Sequence, residues 1–220
     1  MPDSESFKRI SDSPEVEQSP AMQRFLKSMK IGYIEWHDGI GYDLDALQEM
    51  TAEECKEIEA LLISRKDCDW RDVEGLAALN TPFTIQALRD CLNSHNLDSR
   101  LFAVRFLKEM GIEDRIEEVV IRTLPETRLG IGMSFALNLI ERYPSEPLRH
   151  LVLRCALNGH EDIRVHCAAM ALYLYGKTKS IDDSYKGMVF DFHSKWYPNR
   201  MKSFVDLCRQ VGVDPQIVLK

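Results

Sequence analysis

No apolar run in this chain approaches the roughly 20 residues needed to cross a bilayer. The stretch 1–20 is charged and serine-rich and carries no apolar core of a secretory leader. The expected address is therefore the cytoplasm, with no membrane partner. Six cysteines are present (Cys55, Cys68, Cys91, Cys155, Cys167 and Cys208), but no C-x-x-C pair and no compact zinc spacing. Thiols beside apolar helical runs read as buried side chains of a reducing compartment. Sustained period-two alternation is missing, so strands are not expected. Basic charge is in deficit: 28 Lys and Arg face 35 Asp and Glu, a net charge of −7. That balance disfavours nucleic acid as a partner and makes a basic protein the natural complement.

What is present is a returning pattern between Asp69 and Gly176. It reads Arg71-Asp72-Val73-Glu74-Gly75-Leu76-Ala77-Ala78-Leu79, then Asp98 to Leu107, then Arg128 to Leu137, then Asp162 to Leu172. The arginines at the heads stand at 71, 100, 128 and 164, spacings of 29, 28 and 36. A period near thirty with helical apolar spacing marks a stacked helical array. One amphipathic pair leaves an apolar face bare, and stacking the next pair covers it. The fold class expected is all-α, an α-solenoid of about four helical hairpins with atypical caps at both ends. The expected divisions are a disordered tail over 1–20, a cap and first helices over 21–68, the repeats over 69–176 and a C-terminal helical cap over 177–220.

Local signals set the expected elements. Phe25, Leu26 and Met29 share one helical face after Ala21. Thr51-Ala52-Glu53-Glu54 has the form of a capping box, and Thr81-Pro82 that of an N-cap with proline at N1. Helices are expected over 112–123, 128–142, 147–158 and 162–175. A single helix is expected over 180–196, with Tyr185, Met188, Val189, Phe192 and Trp196 on its apolar side. Tyr197-Pro198-Asn199 reads as a break before a last helix.

Two stretches depart from the repeat. Trp36-His37-Asp38-Gly39-Ile40-Gly41-Tyr42-Asp43-Leu44-Asp45 concentrates aromatics and glycines. Beside it, Glu35, Asp38, Asp43, Asp45, Glu49, Glu53, Glu54, Glu57 and Glu59 face Lys56 as the one Lys or Arg from Glu35 to Glu59. Trp36, His37, Asp38, Tyr42, Asp43, Asp45 and Glu49 are the candidate partner-binding residues. His37 next to Asp38 could move protons, and paired carboxylates could bind a metal. Gly39-x-Gly41, however, lacks the third glycine and preceding strand of a nucleotide fingerprint. His160-Glu161 is a further candidate metal pair, but no H-E-x-x-H follows it. Neither a catalytic residue, a metal nor a cofactor is expected.

The Asp-x-x-Arg/Ala-Ala-x-Ala-Leu runs resemble HEAT repeats, in the short form called phycobilisome-lyase HEAT-like repeats. Asp162-Ile163-Arg164-Val165-His166-Cys167-Ala168-Ala169-Met170-Ala171-Leu172 carries the likeness best, and Gly130 and Gly132 weaken the third copy. The upstream Trp36 to Leu47 stretch with Asp69-Trp70-Arg71-Asp72-Val73 is similar to the head of bacterial HEAT-type proteins, some of them resembling immunity proteins for toxins. The resemblance implies a protein-binding solenoid, and its first concrete version is an immunity or inhibitor protein whose acidic surface docks a basic effector. The runner-up is a general scaffold or regulatory adaptor, and the enzyme alternative is a HEAT-type lyase or metal enzyme. Deoxyhypusine hydroxylase has recurring His-Glu pairs, of which this chain has one. HEAT-like DNA glycosylases use a basic concave face, which the charge of −7 opposes.

Overall fold

The computed structural model describes residues 18–220, apart from the side chain of Trp36. Most of the tail expected over 1–20 lies outside the described residues. The described residues are helical, with isolated bridges from Arg128 to Ile131 and Gly132 as the one β feature. No described helix is long and apolar enough to cross a membrane. The chain divides into two compact units, the first ending at Ile58 and the second starting at Glu59.

The first unit holds α1 (Pro20–Ser28), α2 (Tyr33–His37), α3 (Asp45–Glu49) and the first half of α4 (Ala52–Arg65). Ser19 caps α1 by accepting the N–H of Met22, with Pro20 at the position where a missing N–H costs nothing. Helix α1 packs on α3 around Phe25, Tyr42, Ala46 and Leu47. The capping box forms: Glu54 N–H donates to Thr51 Oγ1 at 3.2 Å, and Thr51 N–H to Glu54 Oε2 at 3.0 Å. The other oxygen of Glu54 accepts the Ser19 N–H at 2.8 Å. One carboxylate thus serves the starts of two helices, and those N–H groups hold it below the usual glutamate range.

The second unit carries α5 (Trp70–Leu79), α6 (Pro82–Cys91), α7 (Leu97–Glu109), α8 (Ile116–Thr123), α9 (Met133–Arg142), α10 (Glu146–Asn158), α11 (Glu161–Leu174), α12 (Tyr197–Val211) and α13 (Pro215–Val218). Helix α5 packs on α7, α7 on α9 and α9 on α11, while α8 packs on α10 and α10 on α12. Consecutive helices also pack in pairs, α5 with α6, α7 with α8 and α10 with α11. Leu76, Leu88, Leu92, Leu107, Val120, Ile140, Val152 and Ile163 fill the space between them. Burying each such side chain contributes about 1.5–3 kcal/mol.

The arginines at the heads of the four runs have unlike surroundings. Arg71 is 2% exposed, reaches both oxygens of Asp69 through Nη1 at 3.1 and 3.0 Å, and lies over the Trp70 ring. Arg100 donates twice to the Ser94 carbonyl, at 3.1 and 2.7 Å, and reaches Thr123 and Glu126. Arg128 bonds the carbonyls of Glu126 and Thr127. Arg164 is buried, with its pKa lowered by that burial and then by Arg200.

Five local expectations are corrected. Helix α9 starts at Met133, not Arg128, because Gly130 and Gly132 take φ of +77° and +72° in a tight turn. A Cβ on Gly132 would also stand 3.1 Å from that of Leu97. Helix α8 starts at Ile116, not Ile112, since the amides of Ile112 and Glu113 both go to the Leu107 carbonyl at the end of α7. The stretch 180–196 is not one helix but two 3-10 turns, Asp182–Ser184 and Gly187–His193. Polar Asp182, Asp183 and Ser184 are weak helix formers, and Gly187 at φ +60° breaks the run. Tyr197-Pro198-Asn199 is the first turn of α12 rather than a break. Cys68 is exposed, whereas Cys91, Cys155, Cys167 and Cys208 are buried as expected.

Candidate functional site

The seven residues singled out around the N-terminal cap do not form one free surface. His37 and Asp38 are exposed and bond each other at 2.8 Å. Tyr42 is buried and sets its ring edge-on to Phe25, centroids 5.8 Å apart. Asp43 accepts from Arg24 Nε at 3.1 Å and from the Ala46 N–H, in the first turn of α3, at 3.2 Å. Glu49 takes the fork of the same arginine, at 3.0 and 3.1 Å. Asp45 is exposed in the first turn of α3. The side chain of Trp36 lies outside the described residues. The Asp43–Arg24–Glu49 cluster therefore ties α1 to α3. A charge count from Glu35 to Glu59 leaves Arg24 out, because it stands one element earlier.

The remaining acids divide in the same way. Glu35 accepts the Gly32 N–H, Glu54 holds the two helix starts, and Glu59 accepts the Thr81 hydroxyl. Among the described residues no ion pair reaches Asp45, Glu53 or Glu57. His160 caps α11, its ring nitrogen facing the Asp162 N–H. Among the described residues no three His, Cys, Asp or Glu side chains converge as a metal site would need.

A different constellation appears along the layer α5–α7–α9 of the second unit. Trp70 stacks on Phe102 at 4.9 Å and 26°. Phe102 meets Phe135 edge-on at 4.5 Å. One ring row thus crosses three successive first-of-pair helices. Arg105 lies over Phe102 at 4.5 Å and over Phe106 at 4.4 Å. Arg142 bonds Glu109 at 2.6 Å, and Arg105 stands 3.9 Å from that same carboxylate. Between α7 and α9 a cavity of about 250 Å3 opens, lined by Leu101, Phe102, Arg105, Phe135, Asn138, Leu139 and Arg142. The Nε of Arg105 is buried and has no hydrogen-bond partner. On α5, burial pushes the half-buried Glu74 carboxyl up, with Arg105 and Arg71 offsetting part of the rise.

Phe135 separates this cavity from a smaller one of about 160 Å3. There Asp98 faces the turn Gly130 to Met133. Burial raises its carboxyl above the usual range, the Gly132 N–H opposes that rise, and Asp69 adds to it. Leu129 and Ile131 stand exposed on the turn, which the mutual backbone bonds of Arg128 and Ile131 close at 3.0 and 2.9 Å. This constellation was missed in the sequence. The one signal for it was an aromatic near each repeat head: Trp70, Phe102 and Phe135.

A second titratable cluster sits on α11. His166 Nδ1 is 2.6 Å from the Tyr185 hydroxyl. Burial, and then His193, hold His166 below the ordinary histidine value. The unfolded chain therefore takes up this proton first as pH falls. Stability from this contact is full above about pH 6.5 and declines as pH drops from there towards the folded value. NMR titration should place the His166 midpoint below about 6.5. Unfolding measured through the same window should lose less stability in His166→Gln than in the parent; equal slopes would exclude the effect.

No protein-family profile, curated protein or solved structure matches this chain.

Proposed function

We propose that the chain is a protein-binding helical-repeat domain, a HEAT-like solenoid of stacked hairpins that recognises its partner and catalyses nothing. The observation that carries this reading is the ring-and-guanidinium row Trp70–Phe102–Phe135 with Arg105 and Arg142. Tryptophan and arginine are enriched at binding hot spots; in this row Phe102 is buried, while Trp70, Phe135 and Arg142 reach the surface. The row lies on helices that a repeat stack holds rigid, so little order has to be gained on docking. Two carboxyls held low are tied into structure: Glu54 caps helices and Glu118 pairs with Arg115.

An acidic docking surface for a basic effector, the immunity-type reading, is the second version. It is favoured by the charge of −7 and by Asp45, Glu53 and Glu57, the acids left without ion pairs. A basic partner would be steered by these groups. Asp43 and Glu49 are poor choices for testing it, since Arg24 already holds them.

Charge reversal separates the two. The full chain captures its partner from its native cells, and affinity is measured for Arg142→Glu and for Asp45→Lys with Glu53→Lys. Arg142→Glu should weaken binding about tenfold, and the paired lysine change should leave it within about twofold. Hydrogen exchange of the complex should slow at α7 and α9. An affinity unmoved by Arg142→Glu but lost with the lysine pair would overturn the first reading in favour of the acidic surface.

A further inference from the structure

We propose that the cavity between α7 and α9 takes an acidic side chain of a partner polypeptide. Its carboxylate pairs with Arg105 and Arg142, and its carbon chain lies on Phe102 and Phe135. This inference rests on the protein-binding reading and names the chemistry of the group bound.

Four observations converge on a carboxylate. The first is charge. Arg105 and Arg142 flank Glu109, at 3.9 and 2.6 Å, so two guanidiniums share a single carboxylate. Arg105 and Arg142 line the cavity itself, and no acid is among its lining residues. The second is an unmet donor: Arg105 Nε is buried without a hydrogen-bond partner, and Glu109, the carboxylate facing it, stands 3.9 Å away. The third is shape. A guanidinium fork matches two carboxylate oxygens in one plane, and Arg105 is already fixed in orientation by the rings of Phe102 and Phe106. The fourth is size. At about 250 Å3 the cavity lies just below the range of drug-sized sites and fits one side chain rather than an extended cofactor.

The surroundings restrict the choice of anion. Beside the two arginines and Asn138, the wall is formed by Leu101, Leu139 and the two phenylalanines, so the bound group needs an apolar stem as well as a charge. A nucleic acid would bring a run of phosphates towards a chain of net charge −7. One carboxylate on a short apolar stem meets both requirements, as in a glutamate of a partner segment.

The test uses the full chain and 3-phenylpropionate as probe, with its neutral amide as comparison, followed by NMR at physiological salt. The acid should bind in the millimolar range and shift the amides around Arg105, Asn138 and Arg142. The neutral amide should bind at least tenfold more weakly. Arg105→Gln and Arg142→Gln should each lose about tenfold, and Arg89→Gln, on α6, should change nothing. Arg142 is largely exposed, so its variant keeps the test valid even if Arg105→Gln disturbs packing. Equal binding of acid and amide, or unchanged binding in both arginine variants, overturns the proposal. Tighter binding of a short oligothymidylate at the same residues overturns it in favour of nucleic acid. If the probe fails while a captured partner still slows exchange at α7 and α9, the ligand chemistry falls and the protein-binding reading stands.

Discussion

Replacing Asp69 by alanine should destabilise the chain by about 3 kcal/mol, among the largest effects of any single polar substitution. Two losses combine. Asp69 caps α5 by accepting the Arg71 N–H at 2.9 Å, and a lost cap costs about 1 kcal/mol. Both its oxygens also hold Nη1 of Arg71, whose side chain is 2% exposed. A buried guanidinium that loses a carboxylate keeps its desolvation cost with less compensation. The pair is half-open on the aspartate side, 32% exposed, which keeps the expected figure at the low end for buried pairs. Asp69→Asn separates the terms. Asparagine still caps, so about 2 kcal/mol should remain lost through charge alone. Urea unfolding should show the midpoint falling with an unchanged slope. A loss below about 1 kcal/mol for the alanine variant would mean that Arg71 draws little from this pair.

The helical character of the fold was legible because its signals are local. Thr51–Glu54, Thr81–Pro82 and the stop at Asn158–Gly159 depend on neighbouring residues alone, and all appear where their spacing places them. The corrections arise where a local pattern competes with a backbone angle. Arg128 to Leu137 has the composition of a repeat head, yet Gly130 and Gly132 sit in left-handed conformation and convert its first turn into a loop. Arg71 and Arg100 occupy equivalent sequence positions but find unlike partners, one a carboxylate two residues back, the other a carbonyl and the end of α8. Position in a repeat marks an arginine as a junction without naming its partner.

The candidate site was less legible, for a physical reason. Charge counts read a window of sequence, whereas ion pairs form across elements. Nine acids against one base looked like an open acidic face until Arg24 was seen to hold Asp43 and Glu49 together. The ring row is the opposite case. Trp70, Phe102 and Phe135 stand about thirty residues apart and look like ordinary core positions one by one. Only helix stacking brings them into one line and sets Arg105 and Arg142 at its edge. Proximity of this kind is created between helices far apart in sequence, so a pattern read within one helix under-reports it.

The C-terminal segment offers the sharpest test of backbone conformation. Phe192→Ala should cost about 3–5 kcal/mol, because its ring is fully buried where Gly187–His193 packs on α11 and α12. For a chain of this size that loss lowers Tm by about 10 °C. Trp196→Ala should change stability by no more than about 0.5 kcal/mol, since the indole is 68% exposed. The contrast between the two carries the information. In a continuous helix residues four apart share a face, and both substitutions would strip the same buried stripe. The 3-10 turn ends at His193, so the four-residue register is lost before Trp196. Matching losses in the two variants would restore the single helix that the apolar spacing suggested. A disparity of about sixfold or more in unfolding free energy change identifies Phe192 as the anchor of this segment and leaves Trp196 on the surface.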